Sequence, residues 1–211
     1  MSEPNKIEPQ GSSTEEKIKE AAKRVFTRKG HAATRTRDIA EESGHNLALL
    51  NYYFRSKEKL FDIIMMENLQ FFLKDVLGII NDEHTSLEQK MELLVSHYID
   101  MLIVQPDLPI FMLNAINTDP NELIKKALAS NLLQTHIARQ WQEMMTNRPI
   151  PINPLHIFLN VISLTVFPFV ASPIMKIKLG ITDEAFTQMM LERKKLIPIW
   201  IKAMLTAPVA S

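Results

Sequence analysis

The fold turns on Thr34–Leu60, TRTRDIAEESGHNLALLNYYFRSKEKL. Its spacing predicts a short helix over about Thr36–Glu42, with Ile39 and Ala40 facing inward. Ser43-Gly44 breaks that helix, and a second short one is expected at about Leu47–Phe54. Ser56 then caps a longer helix, with apolar positions Leu60, Phe61, Ile64, Met65, Phe71 and Phe72, that runs to about Ile80. Helix, glycine turn and helix make a helix-turn-helix arrangement. Ala40 is small where two helices must cross closely, and Gly44 can take a turn conformation that a side chain resists. Ile39 and Leu50 can pack beneath the second helix. Arg35, Arg37, Arg55, Lys57 and Lys59 flank the unit at both ends. From such positions cations reach the phosphates on either side of a major groove.

The second helix is the candidate reading element. Asn46, Leu47, Ala48, Leu49 and Asn51 lie at its N-terminal half. Asparagine can pair bidentately with adenine, and alanine or leucine can touch a thymine methyl. Tyr52, Tyr53 and the helix N-terminus are candidates for backbone contacts. Phe54 is expected in the core. One of the two tyrosines is expected to stay exposed, because adjacent helical positions diverge by about 100°.

On the N-terminal side, Met1–Gly11 is polar, holds Pro4 and Pro9, and reads as a flexible arm rather than a signal peptide. Ser12–Glu16 offers two capping boxes, Ser12 with Glu15 or Ser13 with Glu16. The helix they would open carries the stripe Ile18, Ala21, Ala22, Val25 and Phe26 and ends at Gly30. On the C-terminal side, Thr85 and Glu88 suggest a capping box for a helix to about Val104. Pro106 and Pro109 start a shorter helix. Asp119-Pro120 starts one that ends near Thr146, and Asn153-Pro154 starts an apolar one to about Ala171. Pro168 should kink that helix or end it. A loop with Pro173 and Gly180 follows, and Thr182-Asp183-Glu184 caps a last helix to about Leu205. The expectation is all-α: an arm at 1–11, a helix-turn-helix unit at 12–62, and a helical domain at 63–211.

Composition narrows the chemistry. With no cysteine among 211 residues, disulfide scaffolds, Cys-ligated metal centres and thiol nucleophiles are excluded. Five glycines leave little room for a phosphate-cradling loop. Net charge is zero, yet 12–62 carries 11 Lys/Arg against 8 Asp/Glu, while 63–211 carries 12 against 14. The basic excess therefore sits on the helix-turn-helix unit. Leu155–Ala171 approaches the lower length of a membrane span but includes His156, Asn160, Ser163, Thr165 and Pro168. It reads as a buried helix, with an interfacial segment as the alternative, and no membrane partner is expected.

Thr36–Gly44, Leu50–Leu60 and the first-helix run Ala21-Ala22-Lys23-Arg24-Val25-Phe26 with Gly30 closely resemble the DNA-binding domain of the tetracycline-repressor-like (TetR) family of transcriptional regulators. The resemblance is specific over about Glu15–Ile64 and one of layout beyond. It implies that Thr36 caps the second helix and touches phosphate, that Asn46–Leu49 read bases, and that Tyr53 and Lys57 contact phosphate. His45 departs from the family's usual apolar residue, Asn51 stands where many members have tyrosine, and Leu47 and Leu49 make the reading face unusually apolar.

In the C-terminal domain no catalytic or metal-ligating set emerges. His97 and Asp100 share a helix face, but a third ligand is not evident, so neither a metal nor a cofactor is expected. Met101, Phe111, Ile137 and Trp141 offer apolar surface for a small, largely apolar effector, with Asn114, His136 and Gln140 to orient it. The last two helices carry more apolar surface than one small domain buries. Leu155, Phe158, Leu159, Ile162, Val166 and Phe169 lie on one helix, and Phe186, Met189, Met190, Leu196, Ile197, Trp200, Ile201 and Met204 on the other. A homodimer through both helices is expected. The sequence thus points to a cytoplasmic, ligand-responsive regulator, a repressor, binding a palindrome in double-stranded DNA. A helical protein–protein adaptor and an enzyme acting near His97, Asp100 or His136 are the rivals.

Overall fold

The computed structural model describes residues 13–118, 121, 134–146 and 153–206. The expected arm, the Ser12 cap and the Asp119-Pro120 helix start lie outside them. The described residues form nine helices and no strand. The chain divides into two compact units between Met65 and Met66.

The first unit opens with α1 (Thr14–Lys29), where the Glu16 N–H donates to Ser13 Oγ at 3.2 Å. The Ser13 register is therefore the one used. Its stripe Ile18, Ala21, Ala22, Val25 and Phe26 is buried. Helix α2 (Thr36–Ser43) ends in a Schellman turn: Gly44 sits at φ 70°, its N–H reaches the Glu41 carbonyl, and the His45 N–H reaches the Ala40 carbonyl. Asn46 caps α3 (Leu47–Phe54), its Oδ1 accepting from the Leu49 N–H at 2.9 Å. Leu50 and Phe54 face the core. Ser56 Oγ accepts from the Lys59 N–H and so caps α4 (Lys57–Asn81). Leu60, Phe61, Ile64 and Met65 close the unit, and the Phe61 ring meets Phe26 edge-on at 5.2 Å.

The second unit contains α5 (Leu87–Val104), α6 (Leu108–Thr118), α7 (His136–Thr146), α8 (Pro154–Leu179) and α9 (Asp183–Thr206). Helices α5, α8 and α9 pack on one another, α6 packs on α8, and α7 on α5. Four expectations need correction. The cap of α5 is a Ser86–Gln89 box, one residue beyond the Thr85–Glu88 pair. Thr85 is instead recruited by the fully buried Lys90, whose ammonium donates to the Asp82 carbonyl (2.5 Å), the Thr85 carbonyl (2.7 Å) and the Thr85 hydroxyl (2.7 Å). The helix ending at Thr146 is not continuous through residue 135: Thr135 is in a bend, and α7 begins at His136.

The third correction concerns the expected loop at Pro173. Helix α8 runs through Pro168 and Pro173 to Gly180, which lies at φ 65°. Pro168 has no N–H for the Leu164 carbonyl four residues earlier. The guanidinium of Arg193 on α9 takes that carbonyl at 2.8 Å, so the helix continues. The fourth is burial. Ile157, Val161, Thr165, Phe169 and Ser172 are buried, but only 22% of the most apolar 18-residue window of α8 is. By length and hydropathy (mean 1.9) that helix is long enough to cross a membrane. Phe169, Phe186, Met190, Ile197 and Ile201, expected at a dimer interface, are covered within the chain, with Phe169 and Phe186 edge to face at 5.4 Å.

Candidate nucleic-acid interface

Burial orients α3. With Leu50 and Phe54 in the core, Ala48, Asn51 and Tyr52 point to solvent and Leu47 and Leu49 are half-buried. Positions 48, 51 and 52 share one helix face. Both tyrosines are exposed, Tyr52 at 77% and Tyr53 at 38%, and their rings meet edge-on at 5.1 Å. The apolar reading face expected from Leu47 and Leu49 is therefore narrower than the sequence suggests.

Internal ion pairs sort the basic residues. Arg24 and Arg28 on α1 both hold Glu42 on α2, at 3.0 and 3.1 Å. Those hydrogen bonds keep the Glu42 carboxyl below its ordinary pKa, Arg24 contributing first. Lys29 pairs with Asp38 at 3.1 Å. Asp38 is held low chiefly by accepting the Arg35 backbone N–H and then by Lys29. What remains exposed around the helix-turn-helix without an ion pair among the described residues is Arg35 and Arg37 at the start of α2, and Arg55 and Lys59 just beyond α3. These four flank the face of α3 on both sides in sequence, as phosphate-reaching groups should.

The structure corrects the cap implied for Thr36 and shows what else Lys57 holds. Thr36 is the first residue of α2, not its cap; the Asp38 carboxylate reaches back to the Arg35 N–H at 2.9 Å. Lys57 is half-buried, and its ammonium donates to the carbonyls of His31 (3.0 Å) and Thr34 (3.1 Å). It ties the loop after α1 to the start of α4, which leaves one N–H for any other partner. A feature with no sequence signal lies between α3 and α4. Arg55 sits at φ 66° and ψ −43°, and the Ser56 N–H donates to the Phe54 carbonyl at 2.8 Å. This is a γ-turn of the rare, strained hand, on a residue without glycine's freedom.

The expected effector residues are partly together. His136, Gln140 and Trp141 share α7, where His136 Nδ1, Gln140 Oε1 and Trp141 Nε1 are buried without a hydrogen-bond partner among the described residues. Gln140 Nε2 donates to the Thr85 carbonyl at 2.8 Å. Ile137, Met101 on α5 and Phe111 on α6 are half-buried, and Asn114 is exposed. An open groove of about 860 Å³ lies elsewhere, between α5 and α9, and none of these residues line it. His97 and Asp100 have separate partners: His97 stacks on Phe72 at 5.0 Å and faces Asp75 at 3.6 Å, while Asp100 binds Lys194 at 2.6 Å.

Residues 18–64 match the model of the bacterial regulatory proteins, tetR family. That match runs from α1 through α2 and α3 to the start of α4, and so covers the helix-turn-helix and its flanking cations. The chain is 26% identical over 167 residues (74% of this chain, 77% of the relative) to a Bacillus subtilis (strain 168) protein named "Probable HTH-type transcriptional regulator YttP". Its fold matches the fatty acid degradation regulator FadR of Bacillus halodurans with a TM-score of 0.52, at 18% identity, covering 90% of this chain and 97% of that one. It also matches FadR of Bacillus subtilis in complex with stearoyl-CoA, with a TM-score of 0.51, at 15% identity, over 86% and 96% of the two chains. The segment that matches the regulatory-protein family, residues 18–64, is the one that carries the exposed face of α3 and the cations on its flanks.

Proposed function

We propose that the protein is a homodimeric repressor that binds a palindromic operator in the cytoplasm and responds to a small, largely apolar effector. The observation that carries this reading is the exposed face of α3 flanked by four cations that have no ion pair among the described residues. Repression needs the least additional machinery, since occupancy of the operator suffices.

The dimer rests on α8. Leu155, Leu159, Ile162, Val166, Val170, Ile174 and Ile177 recur every three or four residues along one side and are exposed or half-buried. Leu155, Leu159, Ile174 and Ile177 are each more than half exposed. On α9, Leu196 and Ile199 are exposed as well. An apolar strip of this length exceeds what a monomer ordinarily leaves to water, and a twofold pairing of the same helices buries it. Two α3 helices would then meet half-sites one helical turn, or a multiple of it, apart.

The effector reading draws on the apolar side chains of α5 to α7 and on polar atoms of His136, Gln140 and Trp141 that have no partner among the described residues. The FadR neighbour that holds stearoyl-CoA makes long-chain acyl compounds a reasonable first screen. An effector regulates only if it favours one dimer geometry over another. Helix α4, which both units share, is the element through which that preference is transmitted.

Selection of bound sequences from a random duplex library at near-physiological salt tests the reading. Enrichment of one palindrome whose binding weakens steeply with salt supports it; absence of any salt-sensitive specific complex removes it. The adaptor alternative is separated by Arg37→Ala and Arg55→Ala, which should weaken DNA binding and leave a protein partner bound. Lys57 is unsuited to that test, because its ammonium holds the α1–α2 loop.

A further inference from the structure

We infer that the bases beneath α3 are A·T pairs, with Asn51 fixing an adenine and Ala48 resting against a thymine methyl group. This rests on the operator reading above and specifies its chemistry.

Each base edge in the major groove calls for particular side chains. Guanine is read by a forked or pointed cation, cytosine by a carboxylate, adenine by an amide, and the thymine methyl by a small apolar group. Helix α3, LALLNYYF, has no charged side chain at all. It therefore lacks the groups that select G·C. The nearby cations, Arg35, Arg37, Arg55 and Lys59, all lie outside the helix, on the flanks where phosphates run.

Two asparagines remain, and the structure separates them. Asn46 is fixed as the cap of α3 through Oδ1 and the Leu49 N–H at 2.9 Å. That bond uses one lone pair of its oxygen and turns the amide toward the end of its own helix, so of the two Asn51 is the one whose amide is wholly available to an adenine. Asn51 is exposed, and its side-chain amide makes no hydrogen bond among the described residues. Its Oδ1 can accept from adenine N6–H while its Nδ2 donates to N7.

Ala48 lies on the same exposed face one turn earlier, about 4.5 Å along the axis at 1.5 Å per residue. With base pairs stacked about 3.4 Å apart, the two side chains address adjacent or next-adjacent pairs. A methyl is all that Ala48 offers, and it complements the C5-methyl of thymine. Leu47 and Leu49 are turned half inward and Leu50 and Phe54 fully so, which leaves Ala48, Asn51 and the tyrosines to meet DNA.

The test uses the full-length protein and its selected operator. Each adenine of the half-site is replaced in turn by 7-deazaadenine, which lacks the N7 acceptor, and each thymine by uracil, which lacks the methyl. One 7-deazaadenine position should weaken the wild-type protein by roughly tenfold or more and leave Asn51→Ala unaffected. One uracil position should weaken the wild-type protein and leave Ala48→Gly unaffected. The base inference is overturned by invariant G·C pairs at the half-site centre, or by a 7-deazaadenine penalty that Asn51→Ala does not remove. It is equally overturned if Asn51→Ala weakens all sequences alike, which would make Asn51 a phosphate contact. Failure to enrich any palindrome overturns the operator reading itself, a result distinct from these.

Discussion

In the first unit the large apolar side chains of α1, α2 and the start of α4 are covered: Ile18, Val25, Phe26, Ile39, Leu60, Phe61 and Ile64 are all buried. What it exposes on α3 is a pair of tyrosines and an amide. In the second unit Leu155, Phe158, Leu159, Phe167, Ile174 and Ile177 of α8 are more than half exposed. One region is finished as a fold and offers a surface for recognition. The other leaves large apolar side chains in water, the opposite of what burial favours in an isolated chain. Under the proposed function the difference matches the partners: nucleic acid for the first, a second copy and an effector for the second.

The largest effect should come from charging the open side of α8. Leu159→Glu with Ile174→Glu places two carboxylates where the dimer would desolvate them, at a cost of about 4 kcal/mol or more, a thousandfold in dimer affinity. Light scattering should show a monomer of unchanged helicity, and operator binding should fall with it. A dimer of unaltered affinity would mean that this side is not the interface.

Next is the buried ammonium of Lys90. Lys90→Met keeps the volume but strips the Asp82 and Thr85 carbonyls of their donor, costing about 3 kcal/mol. Thermal unfolding should shift down by ~6–12 °C for a chain this size. A shift under 2 °C would show that the second unit tolerates further unpartnered polar groups.

Arg193 and Pro168 supply a paired test. Arg193→Met orphans the Leu164 carbonyl and should destabilise by about 1–3 kcal/mol. In a Pro168→Ala background the new N–H takes that carbonyl, and the same substitution should cost about 1 kcal/mol less. Equal costs in both backgrounds would contradict the account of how α8 passes its proline.

The first unit has its own strain, at Arg55. Arg55→Gly relieves a positive φ and should raise stability by about 1 kcal/mol. It also deletes a cation at the end of α3, so the logarithmic salt dependence of operator binding should become shallower by roughly one unit. Stability and affinity moving in the same direction would contradict the placement.

The smallest effect is acid sensitivity. Glu42 and Asp38 titrate below their ordinary values in the folded unit, so the stability they add is present above about pH 4 and is lost as pH falls through the lowered values. Glu42→Gln should flatten the acid limb of the unfolding temperature against pH.

The first unit was largely legible because its signals are local. Ser13 and Ser56 cap within three residues, and Gly44 supplies the one left-handed position that a Schellman turn needs. The second unit depends on partners distant in sequence. Pro168 reads as a kink or an end until Arg193, 29 residues beyond Leu164, takes the carbonyl that the proline frees. Thr85 and Ser86 offer overlapping caps, and the choice follows from Lys90 drawing Thr85 away. Phe169, Phe186 and Met190 carry the same apolar spacing as Leu155 and Leu159. Periodicity marks both sides of α8 and α9 as apolar without saying which side the same chain covers. At the interface, the register of α3 was legible, whereas the engagement of Lys57 and the γ-turn at Arg55 arise from tertiary geometry alone.

Sedimentation velocity of the protein alone and on its selected palindrome tests the central claim most directly. The account predicts a species of twice the 24.2 kDa chain mass at micromolar concentration, and two chains on each duplex with no stable intermediate holding one. A free 24.2 kDa monomer that occupies the duplex one chain at a time would contradict it.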